Sequence, residues 1–248
     1  MVEILKYNPG GCLPTARDLP DSDDTPVDNE LQDLIPGFLK LCLAAIWSKR
    51  LDWFFGVDMG IYYHPNLAAV VPDGFLAVGV PRIIDSDLRL SYVLWEEQQV
   101  PLLALEVVSH QRRGEYSTKK RLYAEMGVLY YVIYNPLRKN RPRMEVYRLE
   151  DGQYQPLPGE PFWLAEIDLG IGRGSGTYQG IHREWLYWFD EQGKRCPTPE
   201  EIAQQAQQER RLAEERSQQA EEQRRLAEEK AERLAARLRE LGIDPDTV

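Results

Sequence analysis

Three residues of this 248-residue chain have the types and order that divalent-metal chemistry on a phosphodiester requires: Asp73, Glu106 and Lys119. Carboxylates brought close together repel unless a cation lies between them. An all-oxygen ligand set selects Mg2+ or Mn2+ over zinc. Such an ion polarises a phosphodiester and lowers the pKa of a bound water, and an adjacent lysine orients that water and stabilises developing negative charge. Each residue has a plainer reading. Asp73 stands in Val-Pro-Asp-Gly, which is strong turn chemistry. A buried Glu106 could be paired with an arginine, and a helical lysine is ordinarily solvated.

The elements that must position these residues can be read from hydropathy. Leu102 to Val108 is apolar except for Glu106, which predicts a strand covered on both faces. A lone carboxylate there is expensive unless paired. Residues 115–126 read as a helix stopped by Gly127, and Leu129 to Tyr134 as a second buried strand. A strand, helix and strand in that order suit a parallel crossover. Before them, Leu67–Val71 reads as a strand ended by Pro72-Asp73, and Phe75–Val80 as another. Val57–Tyr63 reads as weakly alternating. Phe38, Leu41, Cys42, Ala45 and Ile46 form one helical stripe; an earlier turn capped by Asp28 or Asn29 is expected to break at Pro36-Gly37. Met144–Leu149 and the Asp151-Gly152 turn predict a hairpin. The Gly-rich run at 170–180 lacks the Lys-Ser/Thr of a phosphate loop and reads as a flexible turn.

The ordered set Pro72-Asp73, Glu106-Val107-Val108-Ser109, Lys119, Tyr123, Gly127 and a strand ending in Asn135-Pro136 resembles the bacterial Uma-type putative restriction endonucleases of the PD-(D/E)xK nuclease superfamily. The stretch WLYWFDEQGKRCPTPEE at 185–201 also resembles the family's usual ending, so the resemblance spans about residues 28–201. It implies a restriction-endonuclease-like α/β fold, a mixed central sheet flanked by helices. It implies Asp73, Glu106 and the backbone carbonyl of Val107 as Mg2+ (or Mn2+) ligands, and Lys119 as the catalytic lysine. In the superfamily pattern that lysine lies two residues after the acid, where this chain has Val108; in this family it comes from the next helix. Lys120 is the neighbouring candidate, about 100° round the helix. An acid four residues before the lysine is aspartate in many members and Glu115 here. A Ser-Pro-Ser-Thr run after the strand is replaced by Ser109-His110-Gln111-Arg112.

DNA is the expected partner. Residues 112–143 carry nine basic side chains, among them Arg112, Arg113, Lys120 and Arg121, against Glu115 and Glu125. The local net of +7 stands inside a segment, 36–199, that as a whole balances at 19 charges of each sign. Such a patch beside a metal suits a phosphate backbone. The whole-chain charge of -10 comes from the two ends.

Residues 1–27, rich in Pro, Gly and Asp, read as an extended N-terminal arm, and 28–198 as the nuclease-like domain. Residues 199–248 read as a charged helical tail: Ala206, Ala213, Ala220, Ala227, Leu234 and Leu241 recur every seven positions. That pattern fits a thin coiled-coil seam joining a homodimer, or a solvated helix held by Glu–Arg pairs. Cys12, Cys42 and Cys196 are odd in number and widely spaced, which suggests neither a disulfide framework nor a zinc site. A Cys42–His110 nucleophile pair is conceivable, though Cys42 lies on the apolar stripe. No apolar run approaches the ~20 residues of a membrane span, and a reducing cytoplasm is expected.

Overall fold

The structure, a computed structural model, describes residues 13–20, 29–84, 88–110, 114–137 and 141–240. It divides into two units, Met1–Cys196 and Pro197–Val248. The first contains α1 (Glu30–Ile46), β1 (Trp53–Val57), β2 (Ile61–Tyr62), β3 (Gly74–Val78), β4 (Tyr92–Val93), α2 (Leu94–Glu97), β5 (Leu103–Val107) and α3 (Thr118–Met126). There follow β6 (Tyr130–Tyr134), β7 (Met144–Glu150), β8 (Gln153–Pro156), β9 (Phe162–Leu164), β10 (Leu169–Tyr178) and β11 (Ile181–Phe189). The second unit is one helix, α4 (Pro199–Glu240).

The expected mixed central sheet flanked by helices is present. Its six strands run β1-β3-β5-β6-β7-β8. Only β5 and β6 are parallel, as the intervening helix α3 requires. The β7–β8 hairpin also forms where the sequence places it.

Residue parity sorts β5 between two cores. Leu103, Leu105 and Val107 face a cluster shared with α1, β10 and β11. Ala104 and Val108 face a cluster shared with Tyr123 and Met126 of α3. Period two therefore points Glu106 toward α3. In β3, Phe75 and Ala77 belong to the α3-side cluster and Leu76 to the other. The same alternation turns Asp73 toward α3.

Several local expectations are corrected. Leu67–Val71 is not a strand; Val70 makes one isolated bridge to Ile61. Asp73 thus precedes a strand, β3, instead of ending one. The Val57–Tyr63 stretch is split between the end of β1 and β2, because Asp58 adopts a left-handed conformation at φ 46°. Helix α1 does not break at Pro36-Gly37. Asn29 caps it by accepting from the Leu31 N–H at 3.0 Å, and Pro36, buried, sits inside it. Its buried stripe is Ile35, Phe38, Leu39, Cys42 and Leu43, while Leu41 is exposed. The stripe is thus shifted in phase from the one expected.

The Gly-rich run is strand β10, paired over nine positions with β11. Its glycines alternate. A Cβ at Gly172 would lie 3.0 Å from the Phe189 ring, and one at Gly174 2.9 Å from Tyr187. Glycine on one face lets aromatic rings of β11 lie across the strand, a period-two signal that a turn reading overlooks.

Part of the arm, residues 13–20, packs on the rest of the first unit. Trp95 Nε1 donates to the Pro14 carbonyl at 2.8 Å, and the Tyr62 hydroxyl donates to that of Pro20 at 2.6 Å. In α4, Thr198 and Glu201 exchange side-chain-to-backbone hydrogen bonds of 2.8 and 3.2 Å, a capping box ahead of a helix with no buried residue. Arg211–Glu215 and Arg224–Glu228 are paired along its surface. No helix among the described residues is long and apolar enough to cross a membrane.

Candidate active site

The register of β3 and β5 pairs Gly74 with Leu105. One step further sets Asp73 opposite Glu106, on the same face, where cross-strand Cβ atoms lie roughly 5 Å apart. The Val107 N–H donates to Asp73 Oδ2 at 2.5 Å, fixing the aspartate at the strand end. The β1–β3 register likewise sets Asp58 beside Asp73. Three acids from three neighbouring strands thus reach one end of the sheet.

Glu106 is buried, at 2% exposure. Lys119 Nζ donates to both its oxygens, at 2.9 and 2.8 Å, and to the Val71 carbonyl at 3.0 Å. The Tyr123 hydroxyl donates to Oε1 at 2.7 Å. Lys119 and Tyr123, four positions apart, share one face of α3. A lysine in a helix's first turn opposes the helix dipole, so Glu106 provides the compensation that holds it. Gly114, at φ +87°, makes the turn into α3: its carbonyl accepts from the N–H groups of Ser117 and Lys119, each at 3.0 Å.

The acids outnumber the cation. Burial pushes the Asp73 carboxyl up to about 8, with the Glu106 charge adding to the rise, and the Val107 N–H and Lys119 oppose it. Burial also raises Glu106, against the pull of Lys119 and Tyr123, while the Glu115 charge raises it further. Glu115 is itself buried, and its backbone carbonyl accepts from the Tyr131 hydroxyl at 2.7 Å.

These residues fit a hard divalent cation. The donors are oxygens, and the one lysine, held on Glu106, leaves Asp73 without a cation of its own. Among the described residues no group of three or more His, Cys, Asp or Glu side chains stands ready to hold an ion. Asp73, Glu106 and the Val107 carbonyl would hold it in part, leaving positions for water or phosphate oxygen. That carbonyl also accepts from Gln32 Nε2 of α1 at 3.3 Å. Sequence reasoning missed Gln32 and Asp58. Neither lies in a motif, and only the strand register and helix packing bring them here.

The basic cluster is less free than its local count suggests. Arg112, Arg113, Arg138 and Lys139 lie outside the described residues. Lys120 Nζ sits 3.2 Å from the Tyr147 ring centroid. Arg121, largely exposed, has Glu125 at 3.7 Å. Arg143 is paired at 2.6 Å with Glu184 of β11, an acid outside the counted window. Cys42 belongs to the core packed by α1, and His110 is exposed.

A family model described as Uma2, putative restriction endonuclease, matches residues 25–174. Among solved structures, a putative nuclease belonging to DUF820 from Anabaena variabilis ATCC 29413 is similar, with a TM-score of 0.41 and 10% identity, covering 56% of this chain and 73% of that one. No curated protein matches.

Proposed function

We propose, from the premise that this chain belongs to the Uma2 putative restriction endonuclease family, that it is a metal-dependent endonuclease hydrolysing phosphodiester bonds in DNA. The observation that carries this reading is the buried Asp73–Glu106 pair with Lys119 Nζ on Glu106 at 2.8 Å.

A bound Mg2+ or Mn2+ would polarise the phosphodiester and acidify water at the pair. Asp73 and Glu106 would supply the charge that holds such an ion at the sheet end. The Val107 N–H aims Asp73, and Tyr123 and Lys119 aim Glu106. Lys119 carries three donors. Once Glu106 is compensated otherwise, its amine is free to face the phosphoryl oxygens and the attacking water, where charge develops. The Glu115 charge acts on Glu106 and adds to the negative potential of the site.

Incubating the full chain with DNA and Mg2+ or Mn2+, beside the Asp73→Ala/Glu106→Ala variant, tests this. Cutting by the natural chain alone supports it. Equal cutting by both, or none by either across varied substrates, counts against it.

A second reading, self-association through α4, is favoured by exposed Ile202, Leu212, Leu226 and Leu234. The number of chains per particle, with and without the residues after Pro197, tests it; an unchanged number excludes it.

A further inference from the structure

A second cationic feature lies away from the basic cluster. Strand β1 ends the six-stranded sheet, with β3 as its neighbour in that sheet. A cavity of about 190 Å3 is lined there by Lys40 of α1, Phe54, Gly56, Met59, Arg82 and Arg89. Arg89 is neutralised: Glu97 lies 2.6 Å away, and the guanidinium also donates to the Pro81 carbonyl at 2.7 Å. Lys40 and Arg82 are both partly buried, and neither has a carboxylate within ion-pair distance among the described residues. Burial, and then the Arg82 charge, weaken the hold of Lys40 on its proton. The Arg82 guanidinium sits 5.3 Å from the Trp53 ring centroid, which restrains it beside the strand. Two like charges kept together and half out of water are unfavourable unless an anion joins them.

The cavity runs along the edge strand toward the acids, with its Gly56 wall nearest them. Arg82 sits by Trp53, which pairs with Val78 five residues, ~17 Å, along β3 from Asp73, a few nucleotide steps away on a bound strand. Gly56 pairs with Phe75, and Asp58 is set beside Asp73. Strand geometry places Gly56 only ~8 Å from Asp73.

We propose that Lys40 and Arg82 form an anion subsite that takes a non-scissile phosphate of the nucleic-acid strand bound at Asp73 and Glu106. The ligand rests on the nuclease reading; the cation pair does not. Arginine supplies a planar fork for two phosphate oxygens and lysine a mobile point charge, a combination suited to an oxyanion. Inorganic phosphate presents the same chemistry, so the experiment must separate the two sources.

The test measures binding of fluorescent DNA to the full chain in EDTA, across a salt series, for the natural protein, Lys40→Gln/Arg82→Gln, and the charge-retaining Lys40→Arg/Arg82→Lys. The neutral variant is expected to bind about tenfold more weakly, with the slope of log K against log salt shallower by roughly 1, one phosphate contact's worth. The charge-retaining variant, which also controls for folding, should keep the natural slope. Identical slopes and affinities for all three proteins overturn the proposal. So does a melting-temperature rise with inorganic phosphate that the neutral variant loses while the DNA slopes coincide, since the site then holds free phosphate. If no cleavage occurs under any condition yet the slope difference persists, the nuclease reading fails and the subsite stands.

Discussion

Lys119 Nζ lies 2.8 Å from Glu106 Oε2, although the two residues belong to different elements. The superfamily pattern puts a lysine two residues after the acid, on the same strand face. Here Val108 fills that place and packs in the α3-side cluster. Helix α3 crosses the same face and delivers an amine to the same carboxylate. Lys119→Met leaves a buried acid without its cation, which costs about 3–5 kcal/mol when one partner of a buried pair is removed. Glu106 can then escape by taking up a proton, so the loss, read from urea unfolding, should be larger at pH 8 than at pH 5. The Lys119→Met/Glu106→Gln double variant should recover most of it.

The raised Asp73 carboxyl makes stability and metal affinity depend on pH in opposite senses. Its value is about 8 folded against 3.8 for the unperturbed group. Between those values the folded chain holds a proton that the unfolded chain has released. Metal-free stability should therefore fall as pH rises from about 4 to about 8, by up to ~1.4 kcal/mol per pH unit, and level off above. Asp73→Asn should flatten that slope. Divalent-ion binding must displace the proton, so affinity should climb with pH and saturate above about 8. Calorimetry in buffers of different ionisation enthalpy should register the proton released at neutral pH.

Tyr123→Phe removes one hydrogen bond to a carboxylate and leaves the ring in the core. A loss of about 1.5–3 kcal/mol is expected from a bond to a charged group. Because Glu106 then has one fewer constraint, metal affinity should fall as well. Chemical denaturation and Mn2+ titration check the two effects separately.

Gly114→Ala tests the turn that delivers Lys119. The position is at φ +87°, and an added Cβ would lie 2.0 Å from Thr118 Oγ1. Strain in that backbone region costs about 1–2 kcal/mol, and the displaced helix start should carry Lys119 away from Glu106. Activity should drop more steeply than the melting temperature suggests. Gly152→Ala, a positive-φ glycine with open space around it, serves as the comparison: it should lose stability alone.

The central strands were legible because they depend on local pattern. An apolar run interrupted by Glu106 announces a buried carboxylate, and a strand–helix–strand order announces the parallel pairing of β5 and β6. The length of α1 was not, because Pro36 is a strong breaker on local grounds. Here its ring is buried against the core and the helix continues. The glycines of β10 read as a loop because what makes them useful, the rings of Tyr187 and Phe189 above them, lies in the partner strand. Gln32, Asp58 and Glu184 were hidden for the same reason. Each acts at long range, through a carbonyl, a neighbouring strand or a distant arginine, and no window of sequence contains both partners.

The central claim is that Asp73 and Glu106 share a divalent ion, and anomalous diffraction from crystals soaked in Mn2+ tests it most directly. A peak is expected between the two carboxylates, bonded to an oxygen of each at about 2.1 Å. Ordered Asp73 and Glu106 side chains with no peak between them, at a Mn2+ concentration that supports catalysis, would contradict it.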